Sequence, residues 1–166
     1  MTQRFEKAYN ALYNAFMNDT LASGTCSACA VGNIVADSMG GKVEKLYTGE
    51  FHCDIDNEWW KHLFITSSND QTIFNLKDNG SVKHYRKKIF DLTGYRWHEL
   101  AQVEYAFEKN TRMKIGEYYE HTEQEIMEDQ FKGLMAVMDV LIKLDEVTEG
   151  QKYKDTFKKK REKFLI

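Results

Sequence analysis

Three cysteines stand in this chain, at positions 26, 29 and 53, and the first two are separated by only two residues. A two-residue gap lets both thiolates reach one ion from a single turn, and zinc takes four tetrahedral thiolate or imidazole ligands. Cys26, Cys29, His52 and Cys53 complete such a set on paper, so zinc is the one cofactor that the spacing allows. Against this, adjacent ligands at 52 and 53 would need a contorted loop. The plainer reading needs no cofactor, with Cys26 and Cys29 as small buried hydrophobes, the common fate of free cysteine. An odd count excludes a complete disulfide framework and leaves reduced thiols or metal ligands.

The same residues admit nucleophilic chemistry. Gly24-Thr25-Cys26-Ser27-Ala28 faintly resembles the nucleophile segment of papain-like proteases, which implies Cys26 as a nucleophile activated at a helix N-terminus by a distant histidine. His52, His62 and His98 are the candidate partners, although that fold draws its histidine from a β-rich region and this chain beyond residue 56 reads mostly as helix. A redox CxxC lacks the βαβ context expected for it. No histidine has a glutamate three residues before it, so the di-iron bundle motif is absent. Glu58 with His62 and Glu117 with His121 are spaced four apart and read as helix-surface pairs. Asp54-Ile55-Asp56 begins like a calcium loop, but Trp59 stands where the turn needs glycine.

The element that must carry the first two thiols is Thr25 to Gly40, which reads as a buried helix capped by Thr25 and stopped by Gly40-Gly41. Projected at about 100° per residue, Ala28, Val31, Ile34, Val35 and Met39 fill one arc, and Cys26, Cys29, Asn33 and Asp37 share the other. Asn33 and Asp37 are thereby a candidate polar site beside the thiols. Gly32 costs such a helix about 1 kcal/mol relative to alanine, which points to a close approach by another backbone.

Around it the chain reads as an all-α, single-domain bundle of about six helices, with a short β-hairpin allowed between residues 42 and 56. Phe5, Ala8, Leu12, Ala15 and Phe16 predict an opening amphipathic helix over 3–18. Trp59, Trp60, Leu63 and Phe64 suit a short helix capped by Asp56. Residues 66–72 read as polar loop, 78–80 as a turn, and helices follow over 81–92 and 95–109. Thr122-Glu123-Gln124-Glu125 is a capping box that opens the longest helix, whose stripe runs from Met127 through Phe131, Leu134 and Met138 to Leu141. The organisation is then a helical domain over 1–149 and a basic tail or last helix over 150–166, which docks through Tyr153, Phe157 and Phe164 or stays mobile.

At 166 residues the chain suits one domain, and a domain of this size buries roughly 70% of the surface its unfolded form exposes. Proline is absent, which favours helices. The start Met-Thr-Gln-Arg-Phe-Glu-Lys lacks the apolar stretch of a signal peptide, and no run of about 18 apolar residues exists to span a membrane. The expected location is cytoplasmic. Residues 99–147 hold twelve acids against five bases, whereas 150–166 hold seven bases against two acids. Lys158, Lys159, Lys160 and Arg161 could therefore meet nucleic acid or an anionic surface, or fold back onto the acidic face of their own domain or of a second copy.

The segment Gly24 to Asn33, with Thr93-Gly94-Tyr95 leading to Glu99-Leu100 and Glu104-x-x-Phe107, resembles small uncharacterised proteins of Bacteroidetes-type bacteria and their phages. The resemblance implies a phage or mobile-element origin, with virion or host cytoplasm as the setting, and no activity. The expected function is that of a small helical binding or assembly protein, engaging a protein partner or itself, without catalytic chemistry. The alternative is a cysteine-centred site, either structural zinc or a thiol-dependent enzyme.

Overall fold

The stripe at Phe5, Ala8, Leu12, Ala15 and Phe16 becomes helix α1, Gln3–Met17, in the computed structural model of the chain, which describes residues 2–63 and 81–165. Thr2 caps it by accepting a hydrogen bond from the Phe5 amide. Next comes α2, Ala30–Ser38, followed by strands β1, Val43–Lys45, and β2, Phe51–Cys53, which pair antiparallel with Val43 opposite Cys53. A 3-10 turn at Trp59–Leu63 buries both tryptophans. The remaining helices are α3, Ser81–Thr93; α4, Trp97–Asn110; α5, Glu123–Leu144; α6, Gly150–Thr156; and α7, Lys158–Glu162. The result is the expected single helical domain with a short hairpin. A second 3-10 turn, Ile115–Glu120, was not foreshadowed by any apolar stripe, and it buries none of its residues. Phe64, the loop at 66–72 and the turn at 78–80 lie outside the described residues.

Helices α4 and α5 form the most extensive pair, and Gly133 explains how closely they approach. A Cβ at that position would stand 2.6 Å from Thr111 Cγ2 and 3.0 Å from the Phe107 ring. The start of α5 is held by the expected box: the Glu125 amide donates to Thr122 Oγ1 at 3.1 Å, and the Thr122 amide donates to Glu125 Oε1 at 3.0 Å. Tyr95, Leu100, Phe107, Leu134 and Met138 are fully buried between these helices, α1 and α2.

One polar clasp closes this core. Arg4 of α1 donates to Asp145 Oδ1 at 2.6 Å, to the Gly94 carbonyl at 3.1 Å and to Glu99 Oε1 at 3.2 Å. Its guanidinium lies 4.3 Å from the centre of the Tyr95 ring, while the Tyr95 hydroxyl donates to Asp145 Oδ2 at 2.6 Å. Every charge here meets an opposite one or a hydrogen bond, which is the condition for burying charge without a net penalty. Gly94 is required beside it, since its φ is +79° and a Cβ would stand 2.8 Å from Arg4 Cβ.

The tail is helical and docked. Phe157 is fully buried, and Tyr153 packs edge-on against Phe5 and Tyr9 of α1. Arg161 pairs with Glu128 at 2.8 Å and Lys154 with Asp139 at 2.7 Å, so the basic segment does fold back onto the acidic α5. Lys160 departs from the expectation of an exposed basic cluster: it is only 5% exposed. Its ammonium donates to the Phe16 carbonyl and, at 2.5 Å, to Asp19, which closes the C-terminal end of α1. A cation at a helix C-terminus satisfies orphan carbonyls and the helix dipole together.

Candidate functional site

The first correction concerns where α2 begins. Residues 25–29 form a separate turn, closed by the Cys29 amide donating to the Thr25 carbonyl at 3.1 Å, and Cys29 rather than Thr25 is the helix cap. The Cys29 sulfur accepts from the Gly32 amide at 3.3 Å. Gly32 is compulsory because the turn lies on it: a Cβ would stand 2.1 Å from the Cys26 carbonyl oxygen. The backbone that approaches this glycine is therefore the thiol-bearing turn itself and not another helix.

Two buried asparagines clamp the turn. Asn57 Nδ2 donates to the Ser27 and Gly32 carbonyls, each at 2.9 Å. Asn33 Nδ2 donates to the carbonyls of Thr20, Ala28 and Cys29 at 3.0, 2.9 and 3.2 Å. Asn33 is thus a positioning residue for the turn. Asp37 is exposed and lines a cleft of about 780 Å³ with Asn14, Asn18, Thr20 and Lys42.

Within the clamp the thiols differ. Cys29 is 1% exposed, while Cys26 is partly exposed. The Cys29 thiol donates to the Cys26 carbonyl at 3.6 Å and also meets the carboxyl of Glu104, from α4. Burial, then the charge of Glu104, holds the Cys29 thiol well above its ordinary pKa. Cys26 is raised as well, first by burial, with Lys61 opposing and Glu58, Glu104 and Glu108 adding to it. The charged groups acting most on Cys26 include no histidine.

Glu104 is the residue that sequence reasoning missed. Its Oε2 accepts from the Val31 amide in the first turn of α2 at 3.4 Å. Burial above all, and then the neighbouring acid Glu108 one turn along α4, push its carboxyl up to about 7. Glu108 is itself held by Lys114 at 2.5 Å, and Lys114 also donates to Ser23 Oγ at 3.2 Å. The signal was present in the pattern: Leu100, Glu104 and Phe107 stand at helical spacing, so an acid occupies the inward stripe.

His52 and Cys53 do not join this group. They sit side by side on β2, where successive side chains point to opposite faces; His52 is exposed, and Cys53 packs beneath the hairpin with Val43. Among the described residues no group of three or more histidine, cysteine, aspartate or glutamate side chains is placed to hold a metal ion.

A second feature is a cleft of about 350 Å³ lined by parts of the chain far apart in sequence. Met17 and Leu21 come from the end of α1 and its connector, Phe51 from β2, Ile126 and Met127 from α5, and Phe164 from the tail. Lys45 and Lys163, both exposed, stand at this apolar lining, as do Asp19 and Glu123. On another face, Tyr105 is 65% exposed beside a shallow cleft of about 500 Å³ that Ala101, Ala106 and Val140 line. No helix among the described residues is long and apolar enough to cross a membrane. Comparison of the chain with protein-family models, with curated proteins and with solved structures found no match in any of the three.

Proposed function

We propose that the protein is a small helical binding module whose ligand is a protein segment carrying an apolar side chain beside a carboxylate. The observation that carries this reading is the cleft between α1, β2, α5 and the tail. Ligand sites are concave and combine apolar lining with placed polar groups, and this cleft sets Met17, Leu21, Phe51, Ile126, Met127 and Phe164 beside charged side chains. Met17 and Met127 supply an adaptable lining, since the unbranched thioether accommodates varied shapes. Lys45 and Lys163 supply two positive charges at its rim, against the single carboxylate of Glu123, since Asp19 is paired with Lys160. Lys160 is not part of that rim in effect, because its ammonium is committed to Asp19 and to the end of α1.

The reading predicts what a random peptide library panned on the immobilised full chain will enrich: short segments combining Leu, Ile or Phe with Asp or Glu. Ile126→Arg, which fills the apolar lining with a charge, abolishes that enrichment, and Lys163→Glu weakens capture of the acidic members at least about tenfold. Enrichment of sequences without acids, or retention of all binding by both variants, would refute the proposal. Phage or mobile-element origin, suggested by the two resembling segments, belongs to the same reading and adds no chemistry to it.

A further inference from the structure

The binding cleft leaves the clamped turn unexplained. Two thiols stand one turn apart, with a carboxyl beside the inner one, in a backbone fixed by Asn33, Asn57 and Gly32. We propose that Cys26 and Cys29 are a reversible dithiol–disulfide couple that exchanges electrons with external disulfides, with Glu104 accepting the proton of Cys29.

Four observations support it. Cys26 and Cys29 belong to one tight turn, closed by the Cys29 amide on the Thr25 carbonyl at 3.1 Å, and residues three apart in such a turn have Cα atoms within about 7 Å, the span a disulfide bridges. Exposure is unequal: Cys26 can be reached from solvent, whereas Cys29 at 1% exposure can be reached only from within, as an entry thiol and a resolving thiol must differ. The Gly32 amide at the start of α2 donates to the Cys29 sulfur at 3.3 Å and stabilises it when it carries charge. Finally, the Glu104 carboxyl meets the Cys29 thiol and the Val31 amide, while Glu108 presses on it from the same helix. A carboxyl raised to about 7 is a base matched to a proton transfer near neutrality. The other charged groups acting on the pair are Lys61, in the 3-10 turn, and Glu58, just before it.

The chemistry balances as two exchanges. The Cys26 thiolate attacks one sulfur of a disulfide RSSR; a Cys26–SR bond forms, the S–S bond breaks, and RS⁻ leaves and takes up a proton as RSH. Cys29 then passes its proton to the Glu104 carboxylate, and its thiolate attacks Cys26 Sγ. The Cys26–Cys29 bond forms, the Cys26–SR bond breaks, and a second RS⁻ departs as RSH. Two electrons move from the protein to RSSR, and reduction runs the same steps backwards.

The test uses the full chain with glutathione disulfide under anaerobic conditions. Aliquots are quenched with an alkylating agent and read by intact mass and peptide mapping. The expected wild-type product is two hydrogens lighter, carries no glutathione, links Cys26 to Cys29 and keeps Cys53 alkylated. Cys29→Ser halts at a lasting glutathione adduct on Cys26. In Glu104→Gln the adduct forms at least as fast as in wild type, because a charge that raises the Cys26 thiol is gone, but its resolution is slower by at least about tenfold at pH 8 and loses its rise between pH 6 and 8. Persistence of the adduct in the wild-type chain, a bond to Cys53, or a Cys26–Cys29 bond that forms only in urea would each overturn the proposal. If Glu104→Gln does not fold, wild type against Cys29→Ser still decides it, and binding at the cleft is unaffected by either result.

Discussion

Two buried polar clusters sit along α4, one at its start and one at its middle, and they are built on opposite terms. At its start, Arg4 meets Asp145, Glu99, the Gly94 carbonyl and the face of Tyr95, and Asp145 with its side chain only 1% exposed also receives the Tyr95 hydroxyl. Further along the same helix, Glu104 is desolvated beside a second acid, and it meets only neutral donors among the described residues, the Val31 amide at 3.4 Å and the Cys29 thiol. The first cluster ties α1, the α3–α4 turn and the end of α5 into one unit. The second gains little stability from its charges and keeps a proton that is easily given up. Strong pKa perturbation gathers where function does, while satisfied ion pairs gather where the fold must close.

The difference can be tested by removing one carboxylate from each cluster. Asp145→Ala strands Arg4 and the Tyr95 hydroxyl in the interior and is expected to cost about 3 kcal/mol near pH 7, read as a lower urea midpoint. Glu104→Gln should act in the reverse direction. The folded Glu104 carboxyl, at about 7, stays protonated where the unfolded chain, near 4.5, has released its proton. Native stability therefore falls as pH rises from about 4.5 to about 7, and the glutamine variant lacks that fall. It should be more stable than wild type at pH 8 by on the order of 2 kcal/mol and equal to it near pH 4, checked by urea unfolding at both values. Glu108→Gln gives the smallest change. Removing the neighbouring charge lowers the Glu104 carboxyl, so the pH-dependent loss shifts to lower pH; the lost Lys114 pair costs under about 1 kcal/mol. Should Asp145→Ala prove harmless, or Glu104→Gln destabilise at pH 8, the contrast between the clusters would fail.

Much of the architecture was legible because it rests on local pattern. The capping box at Thr122, the stripe of α5 and the hairpin between 42 and 56 all follow from residues close in sequence. The start of α2 was not, because the apolar periodicity of Thr25 to Gly40 carries straight through the thiol turn. What breaks the helix there is tertiary: Asn57, 25 residues beyond Gly32, binds its carbonyl, and the Cys26 carbonyl packs where a Cβ would be. Glu104 was visible on an inward stripe, but nothing local tells a desolvated acid from one whose carboxylate reaches water. His52 and Cys53 were adjacent on paper, and the alternation of a strand separates them in space. Lys160 read as one of four basic residues in a row, and only the end of α1, 144 residues away, distinguishes it from its neighbours.

That lysine has a dynamic consequence. The last carbonyls of α1 are held by an ammonium from α7, and the aromatic side of α1 is covered by Tyr153 and Phe157. The first helix therefore cannot open alone, nor can the last two. In amide hydrogen exchange, the backbone of α1 and that of α6 and α7 will open as one cooperative unit with a common free energy and a common denaturant slope.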